Sequence, residues 1–151
     1  MLRDVVEPNS KVCENELRSF ADKYGIRLPK AYAEFLLSTN GGQPVPAAFP
    51  IAGMEDNPAG VVQAFFGLRA NIETEDLERN LAELGSTVPT GILPIAGTEG
   101  DDFLVLDLRQ ALAPVLFWDR RNYWGSNLWN ERDLYPVAVD FDSFLRELRD
   151  L

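Results

Sequence analysis

The segment 28–42, LPKAYAEFLLSTNGG, constrains the fold of this chain more than any other stretch. Pro29 suits the first turn of a helix, where its missing N–H would have no partner. The residues that then recur at helical spacing are Tyr32, Phe35, Leu36 and Thr39. Asn40, Gly41 and Gly42 provide the stop, because these residue types accept left-handed backbone at little steric cost. The segment therefore predicts a short buried helix with a tight exit and structural roles for Pro29 and the three stop residues.

Length and composition indicate one globular domain over residues 1–151. The chain has 151 residues, 46% of them apolar, which is enough to bury a sizeable core. Its first residues are too charged for a signal peptide, and no apolar run approaches the ~18 residues of a membrane span. Cys13 is the only cysteine, so no internal disulfide can form. We expect a cytoplasmic protein that does not interact with a membrane.

The complete absence of histidine excludes several kinds of active site. It removes Ser-His and Cys-His nucleophile pairs and the usual general base at neutral pH. One cysteine without histidine cannot build a zinc site from nitrogen and sulfur ligands. Catalysis by carboxylates, lysine or tyrosine is all that remains open.

The net charge of −10 is concentrated in the middle of the chain. Residues 55–119 contain twelve acidic residues and three arginines, whereas residues 1–54 are neutral overall. Direct binding of nucleic acid is not expected, because contacts to phosphates need positive charge. The acidity favours a basic protein partner, although it also fits a surface that only keeps the protein soluble.

Three further helices are predicted from apolar periodicity. The first spans residues 10–24, the second ends at Gly85, and the third buries Phe141 and Phe144 near the C-terminus. The candidate first residues or caps, in chain order, are Asn9 or Ser10, Asn71 or Thr74, and Asp140 or Asp142. Phe141 and Phe144 are expected to have structural roles in the core.

Short runs of β-forming residues predict a sheet in the remaining chain. The candidate strands are 47–51, 61–68, 92–96, 103–108, 115–118 and 136–139. The runs 103–108 and 115–118 are apolar on both sides of the pleat, so we expect central strands covered on both faces, with Trp118 in the core. The order of elements predicts an α+β fold, with N-terminal helices packed on a mainly antiparallel sheet and a C-terminal helix.

Four blocks of the chain, taken in order, resemble the SUKH superfamily. They are LPKAYAEFLLSTNGG, GILPIAGTEGDDFLVLDL, APVLFWDRR and VAVDFDSFLREL. That superfamily contains bacterial toxin-immunity proteins and a fungal regulator of cell-wall synthesis. The resemblance implies an α+β fold, no enzymatic activity, no cofactor, and direct binding of a cognate toxin, often a nuclease. It leaves open a regulatory or scaffold adaptor without a toxin partner, and neither partner identity nor oligomeric state follows from it.

Three carboxylates near one predicted turn, Glu99, Asp101 and Asp102, form the most reactive cluster in the sequence. Oxygen ligands of this kind can hold Mg²⁺ or Ca²⁺, which keeps a carboxylate-based metal hydrolase as a third function. Their spacing fits no calcium loop, and Asp is common in exposed turns. A solvated turn, or contact with a basic partner, is therefore the preferred interpretation, and we expect no metal.

The segment 120–135 places Tyr123, Trp124 and Trp129 among residues typical of loops. Exposed aromatic side chains dominate protein interfaces, so these three are candidates for partner binding. The alternative is that one or two of them fold over the sheet as a lid on the core. Arg120 and Arg121, beside them, could pair with neighbouring acids, and no role is assigned to either.

Overall fold

The computed structural model describes all 151 residues, which form five α-helices and eight β-strands. The helices are α1 (Glu14–Tyr24), α2 (Lys30–Thr39), α3 (Leu77–Leu84), α4 (Arg121–Ser126) and α5 (Phe141–Glu147). The strands are β1 (Asp4–Val6), β2 (Gln43–Val45), β3 (Ala48–Pro50), β4 (Ala59–Phe65), β5 (Ile92–Thr98), β6 (Phe103–Asp107), β7 (Val115–Trp118) and β8 (Leu134–Ala138). None of the helices has the length and apolarity that crossing a membrane requires.

Six strands form one antiparallel sheet in the order β3-β4-β5-β6-β7-β8, so every strand pairs with its neighbour in sequence. β1 and β2 form a separate antiparallel pair. The loop after β3 reaches the far edge of the sheet, where the backbone N–H of Ala52 donates to the carbonyl of Pro136 at 3.0 Å. The two edges of the sheet therefore approach each other. The sheet curls around one of its faces, which is called the inner face below. The predicted α+β fold with a mainly antiparallel sheet is confirmed.

The central strands β6 and β7 are buried on both faces, as their sequence predicts. On the inner face, side chains of these strands join the main core with α1, α2 and α5; they are Leu104, Leu106, Val115 and Phe117. On the outer face, Val105, Leu116 and Trp118 form a smaller core with Leu84 of α3 and Tyr123 of α4. Trp118 is fully buried there. Alternate residues of the same two strands thus supply both cores.

The inner core is built around aromatic rings where α2 meets α5. The Phe141 ring lies edge-on to Tyr32 and to Phe35, with centroids 5.1 and 5.3 Å apart. Phe65 of β4 lies 4.8 Å from Phe35 and 6.1 Å from Phe144. Edge-to-face pairs of this kind add to the free energy gained from burial alone. The C-terminal helix is therefore held to the N-terminal half by ring packing.

The segment 28–42 forms the predicted helix and exit. α2 follows Pro29 directly and ends at Asn40, whose φ of 49° places it in the left-handed region. The exit also joins the helix to β4, because Gly41 lies against the end of that strand: an added Cβ would sit 2.7 Å from the carbonyl oxygen of Phe65. Gly42 and Phe65 are paired by a β-bridge. The glycines are thus needed for close backbone approach as well as for ending the helix.

Several predicted boundaries differ from the observed ones. α1 begins at Glu14, with Cys13 at the N-cap, and neither Asn9 nor Ser10 caps it. Asn9 instead bonds across the chain, accepting from the N–H of Asn71 and donating to the carbonyl of Asn40. This long-range pairing explains the error, because cap propensity considers only local partners.

In α3 and α5, the helix begins after the aspartate whose carboxylate accepts a hydrogen bond from an N–H of the first turn. Neither Asn71 nor Thr74 begins α3; Asp76 caps it and accepts from the N–H of Arg79 at 2.9 Å. Asp140, one of the two predicted candidates, caps α5 by accepting from the N–H of Ser143 at 2.8 Å. The β1–β2 pair was not predicted, since strands of three residues carry too little periodicity to be recognised.

Candidate binding cleft

An open cleft of about 780 Å³ lies on the outer face of the sheet. α3 forms one wall and α4 the other, and the turn between β5 and β6 closes one end. Its floor includes Phe66 and Phe103, which meet edge-on with centroids 5.5 Å apart. Four acidic and two basic residues line it: Glu75, Glu83, Asp101, Asp102, Arg79 and Arg120. The cleft is therefore large enough for several side chains and is acidic overall.

Arg120 occupies an aromatic enclosure at this cleft. Its guanidinium carbon lies 3.6 Å from the ring centroid of Phe103 and 3.9 Å from that of Trp124. The rings of Trp118 and Tyr123 are within 6 Å of the same carbon, at 5.3 and 5.8 Å. Stacking of a guanidinium on aromatic faces is favourable, the more so when water is excluded. The enclosure leaves Arg120 only 5% exposed.

Burial also changes the protonation equilibrium of Arg120. Loss of solvent around the guanidinium lowers its pKa to about 10, against the opposing effect of nearby groups such as Tyr123 and Asp102. The side chain is still a cation at neutral pH. Its Nε is buried without a hydrogen-bond partner, and its side chain makes no ion pair.

The β5–β6 turn fixes the position of Arg120 through its backbone. Asp102 Oδ1 accepts from the backbone N–H of Arg120 at 2.8 Å, and the N–H of Asp102 donates to Thr98 Oγ1 at 3.2 Å. Burial raises the pKa of the Asp102 carboxyl, with the bond from Arg120 N–H acting in the opposite direction. Asp101 takes a left-handed conformation with φ of 64°, which makes the turn tight. Asp102 thus joins the turn to the start of α4.

The three acids of the predicted cluster, which lie in this turn, differ in their exposure. Glu99 and Asp101 are exposed, whereas Asp102 is half-buried and bonded to backbone. No group of three or more acidic or cysteine side chains in the chain is arranged to hold a metal ion. Contact of Glu99, Asp101 and Asp102 with a basic partner stays a prediction, with Asp101 and Asp102 at the cleft.

The predicted aromatic loop contains α4 and is partly packed on the core. Tyr123 and Trp129 lie edge-on to Trp118, with ring centroids 5.0 and 5.2 Å away, and the Tyr123 hydroxyl bonds Thr87 Oγ1 at 2.6 Å. Trp124 is 59% exposed and covers Arg120 at the mouth of the cleft. The two alternatives for this loop therefore apply to different residues: Tyr123 and Trp129 form the lid, and Trp124 is available for contact.

Neighbouring arginines in this segment have opposite environments. Arg121 points to Asp119, which is buried, and the two side chains are 2.7 Å apart in a multiply bonded ion pair. Arg120 has no such acid. Sequence reasoning missed the role of Arg120, because both arginines had acids within reach along the chain. Its position two residues after a buried strand and shortly before Tyr123 and Trp124 was the one available signal.

Comparison with known proteins identifies the family. The model of the SMI1 / KNR4 family (SUKH-1) matches residues 11–147, a span that contains all five helices and every strand except β1. No curated protein and no solved structure matches the chain. The family expected from the four sequence blocks is thereby confirmed. The chain, with its helices against an antiparallel sheet, belongs to the SMI1 / KNR4 (SUKH-1) family.

Proposed function

We propose that this protein is a non-enzymatic immunity protein that binds a cognate toxin directly in the cytoplasm and blocks it. The observation that carries the proposal is the family match over residues 11–147, since the superfamily that the sequence resembles includes many toxin-immunity proteins. The partner that fits best is a basic toxin domain, such as a nuclease. The protein needs no metal or cofactor for this role.

Charge and shape support a docking role for the cleft side of the molecule. The acidic segment 55–119 contributes Glu75, Glu83 and Asp101 to the cleft, and complementary fields accelerate the encounter with a basic partner. Trp124 stands exposed at the mouth, where a large aromatic can anchor an interface. In this mechanism the acids set the association rate and Trp124 contributes to specificity.

Neutralisation is tested by co-expression. The gene adjacent to this one in its genome, if it encodes a large toxin, is expressed in a sensitive bacterial host with and without this protein. Growth should be restored only when both are present, and the purified proteins should form a complex. Toxicity that persists at full expression of this protein would contradict the proposed function.

The kinetics of that complex test the steering mechanism separately. The association rate should fall as salt rises from about 0.05 to 0.5 M, because screening shortens the range of the attraction. Far-ultraviolet circular dichroism over the same range checks that the protein stays folded. An association rate indifferent to salt would remove steering while leaving neutralisation intact.

A regulatory or scaffold adaptor is the second candidate, since the superfamily that the sequence resembles also contains a fungal regulator of cell-wall synthesis. Genome context distinguishes the two functions, because an adaptor has no reason to be encoded beside a toxin. A metal-dependent hydrolase is the third and weakest candidate. Titration calorimetry with Mg²⁺, Mn²⁺ and Ca²⁺ tests it, and binding of any of them at the cleft acids would support it.

A further inference from the structure

The guanidinium of Arg120 is a buried cation whose hydrogen-bonding capacity is not used by the fold. Its Nε has no partner, and the chain's ion pairs do not include it. Arg109 and Arg121, by contrast, each pair with a buried aspartate, at 2.9 and 2.7 Å. A desolvated donor without an acceptor lowers stability by an amount comparable to a lost hydrogen bond. A ligand that accepts from the other N–H groups of the guanidinium would supply this cation with a partner that the fold does not provide.

The geometry restricts how such a ligand can approach. The ring centroids of Phe103 and Trp124 lie 3.6 and 3.9 Å from the guanidinium carbon, so both rings stack on the guanidinium and neither accepts a hydrogen bond from its edge. The N–H groups on the edge are what remains for a ligand in the cleft that Arg120 lines. A guanidinium edge matches a carboxylate, which accepts two parallel hydrogen bonds.

The charges around Arg120 select the kind of molecule that can carry this carboxylate. Glu75 and Asp101 also line the cleft, and neither takes part in an ion pair. They repel a polyanion and attract positive charge. A polypeptide segment in which an acidic residue is flanked by lysine or arginine offers a carboxylate to Arg120 and positive charges to Glu75 and Asp101. The cleft volume of about 780 Å³ accommodates several side chains of such a segment.

We propose that the cleft binds a segment of the protein partner by seating an aspartate or glutamate carboxylate against the edge of Arg120. Basic residues beside that carboxylate pair with Asp101 and Glu75, and Trp124 closes over the contact. This inference names the contact within the proposed function, and it relies on that function only for the partner being a toxin.

A peptide titration tests the contact without the partner. The probe is the blocked peptide acetyl-Lys-Gly-Glu-Gly-Lys-amide, compared with the same peptide carrying Gln in place of Glu, and NMR follows the Nε–H resonance of Arg120. The Glu peptide should shift this resonance and bind about tenfold more tightly than the Gln peptide. Equal binding of the two peptides, no binding of either, or shifts confined to surfaces away from the cleft would overturn the proposal.

Variants separate the contact from general stability. Arg120→Lys keeps the charge and loses the two-pronged edge, so it should reduce the preference for Glu over Gln severalfold, and an unchanged preference would contradict the bidentate contact. If that variant fails to fold, Trp124→Ala provides an independent test, because Trp124 is 59% exposed and its ring lies 3.9 Å from the guanidinium carbon. Leu128→Ala is the matched control, 70% exposed just beyond α4 and outside the cleft. Trp124→Ala should weaken the Glu peptide severalfold, and Leu128→Ala should leave it unchanged.

Two further outcomes are decisive. Glutarate that binds as tightly as the Glu peptide would overturn the proposal in favour of a pocket for small carboxylates. In the co-expression assay, rescue by the wild type but not by a folded Arg120→Lys variant supports the contact, and equal rescue contradicts it. Failure of the wild type to rescue contradicts the toxin function alone, because the peptide titration does not depend on it.

Discussion

Asn40 connects three parts of the chain through hydrogen bonds of its side chain. It is fully buried, and its amide donates to the carbonyls of Ser10 and Leu68 at 2.8 and 2.7 Å. Its side-chain oxygen accepts from the N–H of Leu68 at 2.8 Å. Asn40 thus ends α2 through its backbone conformation, and its side chain holds the segment before α1 and the chain that leaves β4. The sequence identified Asn40 only as a helix stop.

Replacement of Asn40 by glycine should separate these roles. Asn40→Gly retains a backbone that accepts φ of 49° and removes all three side-chain hydrogen bonds. We expect the free energy of unfolding to fall by about 3 kcal/mol, since three backbone groups lose their partner and the two on Leu68 are buried. Urea denaturation measures this, with Ser38→Ala on the exposed side of α2 as the control. A loss of less than about 1 kcal/mol would mean that water replaces the amide.

The carboxyl group of Asp107 makes the stability of the fold depend on pH. Burial opposes its ionisation, but hydrogen bonds from Arg109 and Gln110 outweigh that effect and lower the pKa of its carboxyl. A carboxyl whose pKa is lower in the folded state stabilises the fold above its unfolded pKa of about 3.9. That stabilisation is lost as pH falls through the folded pKa.

Asp107→Asn should therefore cost stability in a pH-dependent way. At pH 7 the loss should be about 1.5–3 kcal/mol, because the charge-assisted bonds to Arg109 are weakened. The difference from wild type should shrink as pH falls below about 4, where the wild-type carboxyl also becomes protonated. Urea denaturation at several pH values gives the comparison. A difference that is constant from pH 7 to 2 would show that Asp107 acts by shape alone.

At the scale of elements, α3 and α4 determine the cleft, and both are short. α3 has eight residues and α4 has six, too few for either helix to be stable in isolation. Each is held by one or two buried side chains: Tyr123 of α4 and Leu84 of α3 pack in the smaller core, and Leu77 of α3 packs in the main core. The walls of the cleft should therefore respond to changes in helix propensity.

Substitution of two glycines, Gly125 in α4 and Gly85 at the end of α3, tests how the cleft walls respond to backbone preference. An added Cβ meets nothing within 4 Å at either Gly125 or Gly85, but Gly85 has φ of 53° and Gly125 lies within α4. Gly125→Ala should stabilise the protein by about 0.5–1 kcal/mol through helix propensity. Gly85→Ala should destabilise it by about 1 kcal/mol, because alanine is strained at positive φ. Thermal denaturation of both variants measures the difference, and effects of the same sign would refute this explanation.

Most helices and strands were predictable from the sequence, whereas several of their first and last residues were not. β7 has the predicted bounds, Val115–Trp118, because its four apolar residues are delimited on both sides by residues that stop a strand. The start of α3 was missed, since its cap at Asp76 also accepts from the N–H of Ala70, a bond that depends on the preceding turn. Local sequence gives helix and strand content, and contacts outside the element decide where it begins.

For the whole molecule, the net charge affects stability through repulsion among the acidic residues. The chain carries −10 at pH 7, and its acids are concentrated in residues 55–119, which include α3 and the turn beside the cleft. Repulsion among these charges disfavours the compact state. The same field that attracts a basic partner therefore lowers the stability of the free protein.

Salt should relieve this repulsion in a way that depends on pH. The melting temperature at pH 7 should rise as NaCl increases from about 0.02 to 0.3 M, since the Debye length shortens over that range. Near pH 4.4, the isoelectric point given by the sequence, the same salt range should have little effect, because the net charge is close to zero. Calorimetry at both pH values makes the comparison. A melting temperature independent of salt at pH 7 would contradict the repulsion argument.

The sequence by itself determined the fold class, the family and most of the elements. These follow from apolar spacing and from caps and turns that act over a few residues, and the Leu-Pro to Asn-Gly-Gly segment contained enough of them to indicate the whole arrangement. Only the tertiary structure decided the site. Arg120 lies in its enclosure because β6 and β7 pair, which brings Phe103 opposite Trp118, and because Asp102 holds the backbone of Arg120. These partners are up to eighteen residues apart in sequence, and whether an arginine has a counter-ion depends on contacts that local patterns do not encode.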